Sequence, residues 1–294
     1  MVKTPDEIKQ TDDLKEIKAA IKQRVLKISK ESAVEYKHIA IEHDYPFTTL
    51  RIKRADDEYN SLSIEAIREL RDALNVLSDD PNIKILFVTG NDRVFCTGAD
   101  VKQIQNLDQW EVRDLAHRGK EVFQRLEEID FVTIALVNGL ALGGGLELAM
   151  CCDFRIASPK ARFGLVEAKI GLIPGWGGTQ RLPRIVGIPR ALEMVYTGDT
   201  IRAEEALQLG LVQVLIDKDE DLEEAGRKFA RKFLKLSRVT LMLGKRAVRI
   251  GCEMPLAYGD AFESELFTLA WTSKDRKEGF DAFLKKRKAD FKDE

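Results

Sequence analysis

The segment NGLALGGGLELAMCCD spans residues 138–153 and directly follows the apolar run VTIALV, residues 132–137. The apolar run predicts a buried strand, and the LELAMCC portion predicts a helix, with three glycines between them. Consecutive glycines cost backbone entropy, so this turn must need an open backbone. An amide there, such as that of Gly144, could point at developing negative charge. A buried strand followed by a turn and a helix indicates an α/β architecture.

Strand patterns recur along the chain at residues 34–42, 48–54, 83–90 and 153–158. Tyr45-Pro46, between the first two, suits a hairpin connection. Residues 64–78 show a helical pattern that Ser63 could cap. From residue 187 onwards the patterns are mostly helical. Strands alternating with helices support the α/β fold class for the part of the chain before that point.

Three regions are therefore expected. Residues 1–33 are rich in charge and carry one apolar stripe, which predicts a helical N-terminal extension. The stripe is formed by Leu14, Ile17, Ile21, Val25 and Ile28. Residues 34–200 would form the α/β core, and residues 201–294 a helical C-terminal region.

Composition and charge argue against several classes of function. The 294 residues carry a net charge of −2, which gives no general attraction for nucleic acid or an anionic membrane. No apolar run reaches about 18 residues, so a membrane-spanning helix is not expected. The 4 cysteines and 3 histidines lack metal-ligand spacing, which predicts neither a metal site nor a disulfide framework. A reducing cytoplasm is the expected location.

Two glutamates lie in apolar surroundings. Glu147 falls in the first turn of the helix predicted after the three glycines, where the helix dipole alone could account for a carboxylate. Its neighbours Leu146 and Leu148 nevertheless predict burial, and a buried carboxylate is costly unless it is paired or functional. Glu167 lies within the stretch FGLVEAKIGL, residues 163–172, just before a turn dense in glycine.

Two more segments place glycine at turns. In VFCTGADVK, residues 94–102, Gly98 would let the chain turn, and the amides after it, notably that of Ala99, could bind an anion. Taken alone, this segment is better explained as a plain strand-to-helix turn. In IPGWGGTQRL, residues 173–182, Trp176 could either wall a ligand pocket or fill the core.

Taken together, these features predict a chemical site. Two carboxylates in apolar surroundings suit a general acid and a general base whose environments tune their pKa values. Glycine-rich turns with free amides suit an oxyanion hole. The combination fits chemistry at the carbon next to a carbonyl group, and the residues alone do not name the substrate.

These segments resemble the crotonase (enoyl-CoA hydratase/isomerase) superfamily in order and separation, from about residue 34 to the C-terminus. The resemblance is carried by FCTGAD at 95–100, ALGGGLELA at 141–149, IPGWGGTQRL at 173–182 and AFLKKRKADF at 282–291. It implies a spiral of ββα units and a helical C-terminal region that forms a trimer, often as a dimer of trimers. It also implies a CoA thioester as the substrate, with no metal or redox cofactor.

Residue by residue, Glu147 and Glu167 match the two catalytic glutamates of the hydratases, and the amides of Ala99 and Gly144 match the oxyanion-hole positions. The resemblance implies an enoyl-CoA hydratase, which adds water reversibly and in syn fashion to a trans-2-enoyl-CoA. Glu147 would activate the water, Glu167 would give a proton to the α-carbon, and the two amides would hold the thioester oxygen. Crotonyl-CoA is the expected substrate, and dehydration of 3-hydroxypropionyl-CoA is a second possibility.

The resemblance also implies contacts to the substrate or to CoA, at Thr97, Gly98, Asp100, Val101, Lys102, Gly143, Gly175 and Trp176. Lys285, Lys286 and Lys288 could hold the CoA phosphates, although a solvated helix face explains them equally well. The chain departs from the family pattern at Lys53-Arg54-Ala55, where Asn-Arg-Pro is usual, and at Asn60-Ser61-Leu62, where Asn-Ala-Leu follows. It also departs at Phe131-Val132, where Lys-Pro is common. These departures concern specificity and CoA contacts, not the two glutamates.

Two alternatives stay open. A Δ3-Δ2 enoyl-CoA isomerase needs a carboxylate to move a proton but need not activate water, so the presence of both glutamates favours the hydratase. Another member of the superfamily binds AU-rich RNA through a lysine-rich helix. Here the densest basic stretch, residues 285–288, is soon followed by Asp290, and the net charge is negative, so nucleic acid is not the expected partner.

Overall fold

The computed structural model describes residues 35–91 and 93–293, and the first elements of the described chain form a hairpin. Strands β1 (Ile39–Asp44) and β2 (Phe47–Ile52) pair antiparallel, and Tyr45-Pro46 connects them through a cis peptide bond. The predicted hairpin is therefore confirmed. The extension predicted at residues 1–33 lies outside the described residues.

Helix α1 (Ile64–Ser78) follows the hairpin and has the predicted bounds. The Ser63 hydroxyl accepts a hydrogen bond from the amide of Ala66, which satisfies one of the amides left free at the helix start. The buried side chains recur at three- and four-residue steps, so one face packs on the core. They are Ala66, Ile67, Leu70, Ala73, Leu74 and Leu77.

Successive strand pairs after α1 are divided between two sheets. The first strand of each pair joins a larger sheet: β3 (Ile85–Thr89), β5 (Val132–Val137) and β7 (Phe154–Ala157). The second joins a smaller sheet: β4 (Val94–Cys96), β6 (Leu140–Leu142) and β8 (Arg162–Gly164). Helices α2 (Val101–Ile104) and α3 (Gln109–Glu128) follow β4, and α4 (Gly144–Cys151) follows β6. This repeated strand–strand–helix order is the ββα spiral that was expected.

The larger sheet has the strand order β1-β2-β3-β5-β7-β10, in which β10 is the short strand Val214–Leu215, and it supplies much of the core. Strands β3 and β5 are buried along their whole lengths, which explains why their sequences are apolar without alternation. Phe87, Ile134 and Ile156 pack in one cluster with helix α8 (Leu222–Ala230). The apolar runs of the sequence therefore form the buried strands of the larger sheet.

The chain after β8 is largely helical, as predicted. A 3₁₀ helix (Glu167–Ile170) is followed by α5 (Gly178–Val186), α6 (Ile188–Thr197), α7 (Ala203–Gln208), α8, α9 (Arg238–Gly251), α10 (Leu256–Trp271) and α11 (Lys274–Leu284). Two short strands interrupt the helices: β9 (Ile201–Arg202) pairs with β8, and β10 (Val214–Leu215) pairs with β7. Both sheets thus continue past residue 200. The sequence did not predict this, because two-residue strands leave no periodic pattern. The division into three regions stays a prediction.

The smaller sheet brings together the segments that were singled out in the sequence. Strands β4, β6 and β8 are parallel, with Cys96 opposite Ala141 and Leu142 opposite Gly164. The carboxyl ends of parallel strands meet at one edge of a sheet, where α/β proteins commonly bind ligands. The turn at 97–100, the glycines at 143–145 and Glu167 follow these three ends, and they form the candidate site.

Candidate active site

The turns after β4 and β6 pass each other with no room for a side chain. A Cβ atom added to Gly98 would lie 2.6 Å from the Gly144 nitrogen, and one added to Gly144 would lie 3.2 Å from the Gly98 Cα. Gly98 also has a φ of 91°, in the region that glycine favours. These two glycines are therefore required by a close approach of backbones, which sets Ala99 beside Gly144.

Ala99 and Gly144 each offer a free amide at this junction. Leu62 forms a parallel bridge to Ala99, in which the Leu62 amide donates to the Gly98 carbonyl (2.7 Å) and the Asp100 amide donates to the Leu62 carbonyl (3.0 Å). The bridge leaves the Ala99 amide directed away from Leu62. Gly144 is the first residue of α4, so its amide has no acceptor within the helix. Neither amide has an acceptor among residues 35–91 and 93–293.

Helix α4 begins two residues earlier than the sequence pattern suggested. The pattern placed its start at Leu146, after the glycines, whereas Gly144 and Gly145 are helical. The reason is packing. A Cβ on Gly145 would lie 1.9 Å from the Cys96 carbonyl oxygen, so only glycine lets the first turn of the helix rest on β4.

Glu147 is buried in the first turn of α4, with 1% of its surface exposed. Its Oε1 atom accepts hydrogen bonds from the amides of Trp176 (2.8 Å) and Gly178 (2.6 Å). Burial raises the pKa of the Glu147 carboxyl above its usual value, and the two amides act in the opposite direction because they favour the carboxylate. The glycine-rich loop thus holds one oxygen of this carboxylate in a fixed place.

Glu167 begins the 3₁₀ helix and faces the same junction. A Cβ on Gly143 would lie 3.0 Å from its Oε1 atom, so this carboxylate lies against the residue before the free amide of Gly144. Its Oε2 atom is buried without a hydrogen-bond partner in the described chain. Burial raises the pKa of Glu167 to about 7, and the negative charge of Glu147 adds to the effect.

The two carboxylates therefore differ in their surroundings. Glu147 is held by two amide donors, which favour its ionised form, whereas Glu167 has an unpaired oxygen and a pKa near neutrality. A pair of this kind can supply a base and an acid at the same pH. The free amides of Ala99 and Gly144 can stabilise an oxygen that gains negative charge nearby.

Trp176 is part of the core. Its ring is 5% exposed, and it packs edge-on against Phe123 of α3 at a centroid distance of 5.4 Å. A Cβ on Gly119 would lie 2.2 Å from the indole Nε1, and one on Gly144 would lie 2.5 Å from the ring. Of the two roles considered for this side chain, the structure selects the core-filling one. Trp176 contacts the site through its amide, which binds Glu147, and through its ring, which lies against Gly144. The neighbouring Gly175 is exposed.

The residues predicted to contact CoA fall into two groups. Val101 and Lys102 are exposed on α2 and available to a ligand. Asp100 is already engaged: Oδ1 accepts from the Lys102 amide (3.1 Å), and Oδ2 pairs with Arg54 at 2.9 Å. The Thr97 hydroxyl donates to the Tyr59 carbonyl (2.9 Å). The carboxylate of Asp100 is therefore a helix cap and an ion-pair partner in this structure.

The lysines near the C-terminus are exposed, and part of this basic stretch is neutralised. Lys285 pairs with Asp281 at 2.7 Å, and Arg287 pairs with Glu278 and Asp281, at 2.6 Å in each case. Lys286 and Lys288 are exposed. Intramolecular pairing weakens both a phosphate contact and a general attraction for RNA at this position.

Sequence reasoning missed the group that anchors the Gly98 turn. Asn60 is fully buried, and its amide nitrogen donates to the carbonyls of Ile52 (3.0 Å) and Phe95 (2.9 Å). Arg54, which was noted only as a departure from the family pattern, binds Asp100. The only signal in the sequence was that Arg54 and Asn60 are polar residues shortly after a strand. Their partners Asp100 and Phe95 lie 46 and 35 residues away along the chain.

The described residues show no other candidate centre of the kinds considered above. Within 35–91 and 93–293, no group of three or more His, Cys, Asp or Glu side chains is arranged to hold a metal ion. None of the helices in those ranges has the length and apolar character needed to cross a membrane.

Comparison with known proteins gives concordant matches. A family model described as enoyl-CoA hydratase/isomerase matches residues 48–294. A crotonyl-CoA hydratase of Syntrophomonas wolfei subsp. wolfei is 41% identical over 257 residues, covering 87% of this chain and 98% of that protein. The mitochondrial enoyl-CoA hydratase of Pongo abelii is 43% identical over 238 residues, 80% of each protein. The crystal structure of an enoyl-CoA hydratase from Bacillus anthracis matches with a TM-score of 0.82 at 35% identity, covering 87% of this chain and 100% of that chain.

Proposed function

The chain belongs to the enoyl-CoA hydratase/isomerase family and is an enoyl-CoA hydratase, and we propose that it hydrates short-chain substrates such as crotonyl-CoA through Glu147 and Glu167. The observation that carries the proposal is the contrast between the two carboxylates. Glu147 accepts two amide hydrogen bonds, whereas the Oε2 atom of Glu167 is buried and unpaired among the described residues. The two amides oppose the effect of burial on the pKa of Glu147, and Oε2 of Glu167 has no such donor, so we assign the base to Glu147 and the acid to Glu167.

The amides of Ala99 and Gly144 hold the thioester oxygen in this mechanism. As water adds to the β-carbon, the electrons of the double bond move towards the carbonyl, and its oxygen becomes negative. Two amide donors that are fixed before the reaction stabilise that charge without reorganising. The close approach of Gly98 to Gly144 is what keeps the two donors together.

The two glutamates handle the protons. The carboxylate of Glu147 takes one proton from the water while the water oxygen forms its bond to the β-carbon. Glu167 donates its proton to the α-carbon, and the enolate returns to a thioester. Both proton transfers take place beside the bound thioester, and exchange with solvent restores the starting protonation states. Dehydration of a 3-hydroxyacyl-CoA uses the same steps in reverse, and 3-hydroxypropionyl-CoA is included among the proposed substrates.

The presence of two carboxylates favours hydration over double-bond isomerisation. An isomerase moves one proton between two carbons of the substrate and needs no base for water. Here two amides donate to one oxygen of Glu147 and favour its carboxylate form, and a carboxylate can accept a proton from water. The short-chain assignment is supported by relatives named crotonyl-CoA hydratase and short-chain-enoyl-CoA hydratase.

We further propose that the protein assembles as a trimer of identical chains, alone or as a dimer of trimers. Helix α10 buries none of its residues, although several of them are large and apolar. Leu256, Tyr258 and Phe267 are 80%, 70% and 65% exposed. An apolar helix that is this exposed usually meets a partner. Light scattering after size-exclusion chromatography tests this. A mass of about 33 kDa, that of one 33.3 kDa chain, would rule the assembly out. Absence of a cofactor and a cytoplasmic location stay predictions.

Hydration of crotonyl-CoA tests the proposed function, followed as the loss of absorbance of the conjugated thioester. We expect fast turnover by the wild type and a fall in kcat of roughly a hundred- to ten-thousand-fold in Glu167→Gln, since general acid catalysis contributes about that much. Glu204→Gln is the matched control, because Glu204 is exposed on α7. Undiminished hydration by Glu167→Gln would refute the mechanism, and isomerisation of a 3-enoyl-CoA without hydration by the wild type would refute the activity.

A further inference from the structure

The position of Glu147 depends on a short loop. Both amides that bind its Oε1 atom, those of Trp176 and Gly178, belong to the glycine-rich turn that leads into α5. Glycine-rich backbone is easily displaced, because its residues have many accessible conformations. A carboxylate that must meet one water molecule needs this turn held by something outside it.

Arg181 binds the turn from α5. Its Nη1 atom donates to the Trp176 carbonyl oxygen at 3.1 Å. A Cβ on Gly177 would lie only 2.0 Å from the same Nη1, and Gly177 has a φ of 108°, so the guanidinium passes directly beside the turn where no side chain fits. Arg181 therefore holds the peptide oxygen of the residue whose amide holds Glu147.

Glu127 of α3 fixes Arg181 in turn. Its Oε2 atom accepts from Arg181 Nε at 3.1 Å and from Nη2 at 2.6 Å, and the two side chains are 24% and 20% exposed. Its Oε1 atom accepts from Arg249 of α9 at 2.5 Å. A guanidinium held along one edge by a carboxylate has one orientation, so the bond to the Trp176 carbonyl is directional.

We propose that Arg181, oriented by Glu127, is a positioning residue for Glu147 that holds the Trp176–Gly178 turn in the geometry required for water activation. The inference rests on the proposed hydratase function. It assigns a part to two residues that need not touch the substrate. Arg181 acts on the reacting water only through the turn and through Glu147.

The charges around Glu147 agree with this role. Arg181 and Lys120 are the cations that face it, from α5 and α3, and both lower the pKa of Glu147. Glu167 is the anion that interacts with Glu147, and Glu127 forms an ion pair with Arg181. Removing the charge of Arg181 should raise the pKa of Glu147, so the base would be protonated over more of the acidic range.

The test compares Arg181→Gln and Arg181→Lys in crotonyl-CoA hydration across pH. For Arg181→Gln we expect kcat to fall on the order of 10- to 100-fold, because small misplacement of a catalytic group costs up to about that much. We expect KM to stay within about twofold, and the acid limb of kcat/KM to move to higher pH. Arg181→Lys keeps the charge but not the fork of donors, so it should keep the position of the acid limb while kcat remains reduced.

Two further variants distinguish an effect on the position of Glu147 from the general effect of removing an ion pair. Glu127→Gln should lower kcat as Arg181→Gln does, since it releases the guanidinium. Arg184→Gln is the matched control, because Arg184 lies on the same helix as Arg181 and binds the Gln180 carbonyl and Glu253 but not the turn. It should leave kcat and the acid limb in place. If Arg181→Gln does not fold, Arg181→Lys and Glu127→Gln supply the same comparison.

Wild-type kcat and pH dependence in folded Arg181→Gln would overturn the inference, as would an equal shift of the acid limb in Arg184→Gln. Failure of the proposed function gives a different result. In that case the wild type does not hydrate crotonyl-CoA, or Glu147→Gln remains active. An active wild type, an inactive Glu147→Gln and an unchanged Arg181→Gln would refute the positioning role alone.

Discussion

Gly98→Ala is expected to damage activity more than stability, because the substitution acts on the junction of the two free amides. The added Cβ would lie 2.6 Å from the Gly144 nitrogen, whereas ordinary contact begins at 3.4 Å, so the two turns must separate by about 0.8 Å (3.4 minus 2.6). A shift of that size moves an oxyanion-hole donor out of hydrogen-bonding range. Loss of one such donor lowers kcat on the order of a hundred- to a thousand-fold.

The expected loss of stability for Gly98→Ala has two parts. A residue with a Cβ at a φ of 91° costs about 1–2 kcal/mol, and forcing the backbones apart costs about 1–3 kcal/mol. The sum is about 2–5 kcal/mol in the free energy of unfolding, measured by urea denaturation. A protein that loses this much can remain folded, so kcat can be measured in the same preparation.

Gly210→Ala is the control for backbone strain. Gly210 has a φ of 73°, and a Cβ there would have no atom within 4 Å. We expect this variant to lose only the strain energy of about 1–2 kcal/mol and to keep the wild-type kcat. Wild-type kcat in Gly98→Ala, or an equal loss of kcat in Gly210→Ala, would refute the assignment of the junction to the oxyanion hole.

Three more outcomes are expected. Because the pKa of Glu167 is raised to about 7, its proton is lost as the pH rises through that value, so kcat/KM for hydration should fall above about pH 7. The net reaction takes up no proton, so its equilibrium constant does not change with pH, and kcat/KM for dehydration should fall over the same range. Profiles that are flat between about pH 6 and 8 in both directions would contradict this role. Ser63→Ala removes the cap of α1 and should lower the free energy of unfolding by about 1 kcal/mol with kcat unchanged, which denaturation and steady-state assays check together. Arg54→Met leaves the carboxylate of Asp100, which is 13% exposed, without its cation, and should lower the free energy of unfolding by about 3 kcal/mol. A Tm equal to that of the wild type would show that this ion pair does not stabilise the fold.

Features that depend on neighbours in the chain were predicted well. The β1–β2 hairpin and the bounds of α1 follow from alternation, Pro46 and the Ser63 cap, all of which act within a few residues. The burial of Glu147 followed from its apolar neighbours, because residues on all sides of a helix turn determine how much of it is covered.

Features that depend on distant residues were not predicted, or were left as alternatives. The role of Trp176 was decided by Gly119 and Phe123 of α3, more than 50 residues earlier in the chain. The ion pair between Arg54 and the carboxylate of Asp100 was not predicted, and the expected contact of Asp100 with the substrate or CoA stays a prediction. The bond between Arg181 and Glu127 also joins residues 54 positions apart. Side-chain periodicity reports which face of an element is buried, and it carries no information about which distant element covers that face.

The sequence by itself determined the α/β class, the three turns that carry glycine, and the two glutamates, because local patterns and motifs specify strands, turns and apolar surroundings. Only the tertiary structure decided how these parts meet. The parallel order β4-β6-β8 sets Gly98 against Gly144 and brings Glu167 over Gly143, and the turn at Trp176–Gly178 reaches back to Glu147. The difference between the two carboxylates arises from these contacts, because a pKa depends on burial, donors and charges that other parts of the chain supply.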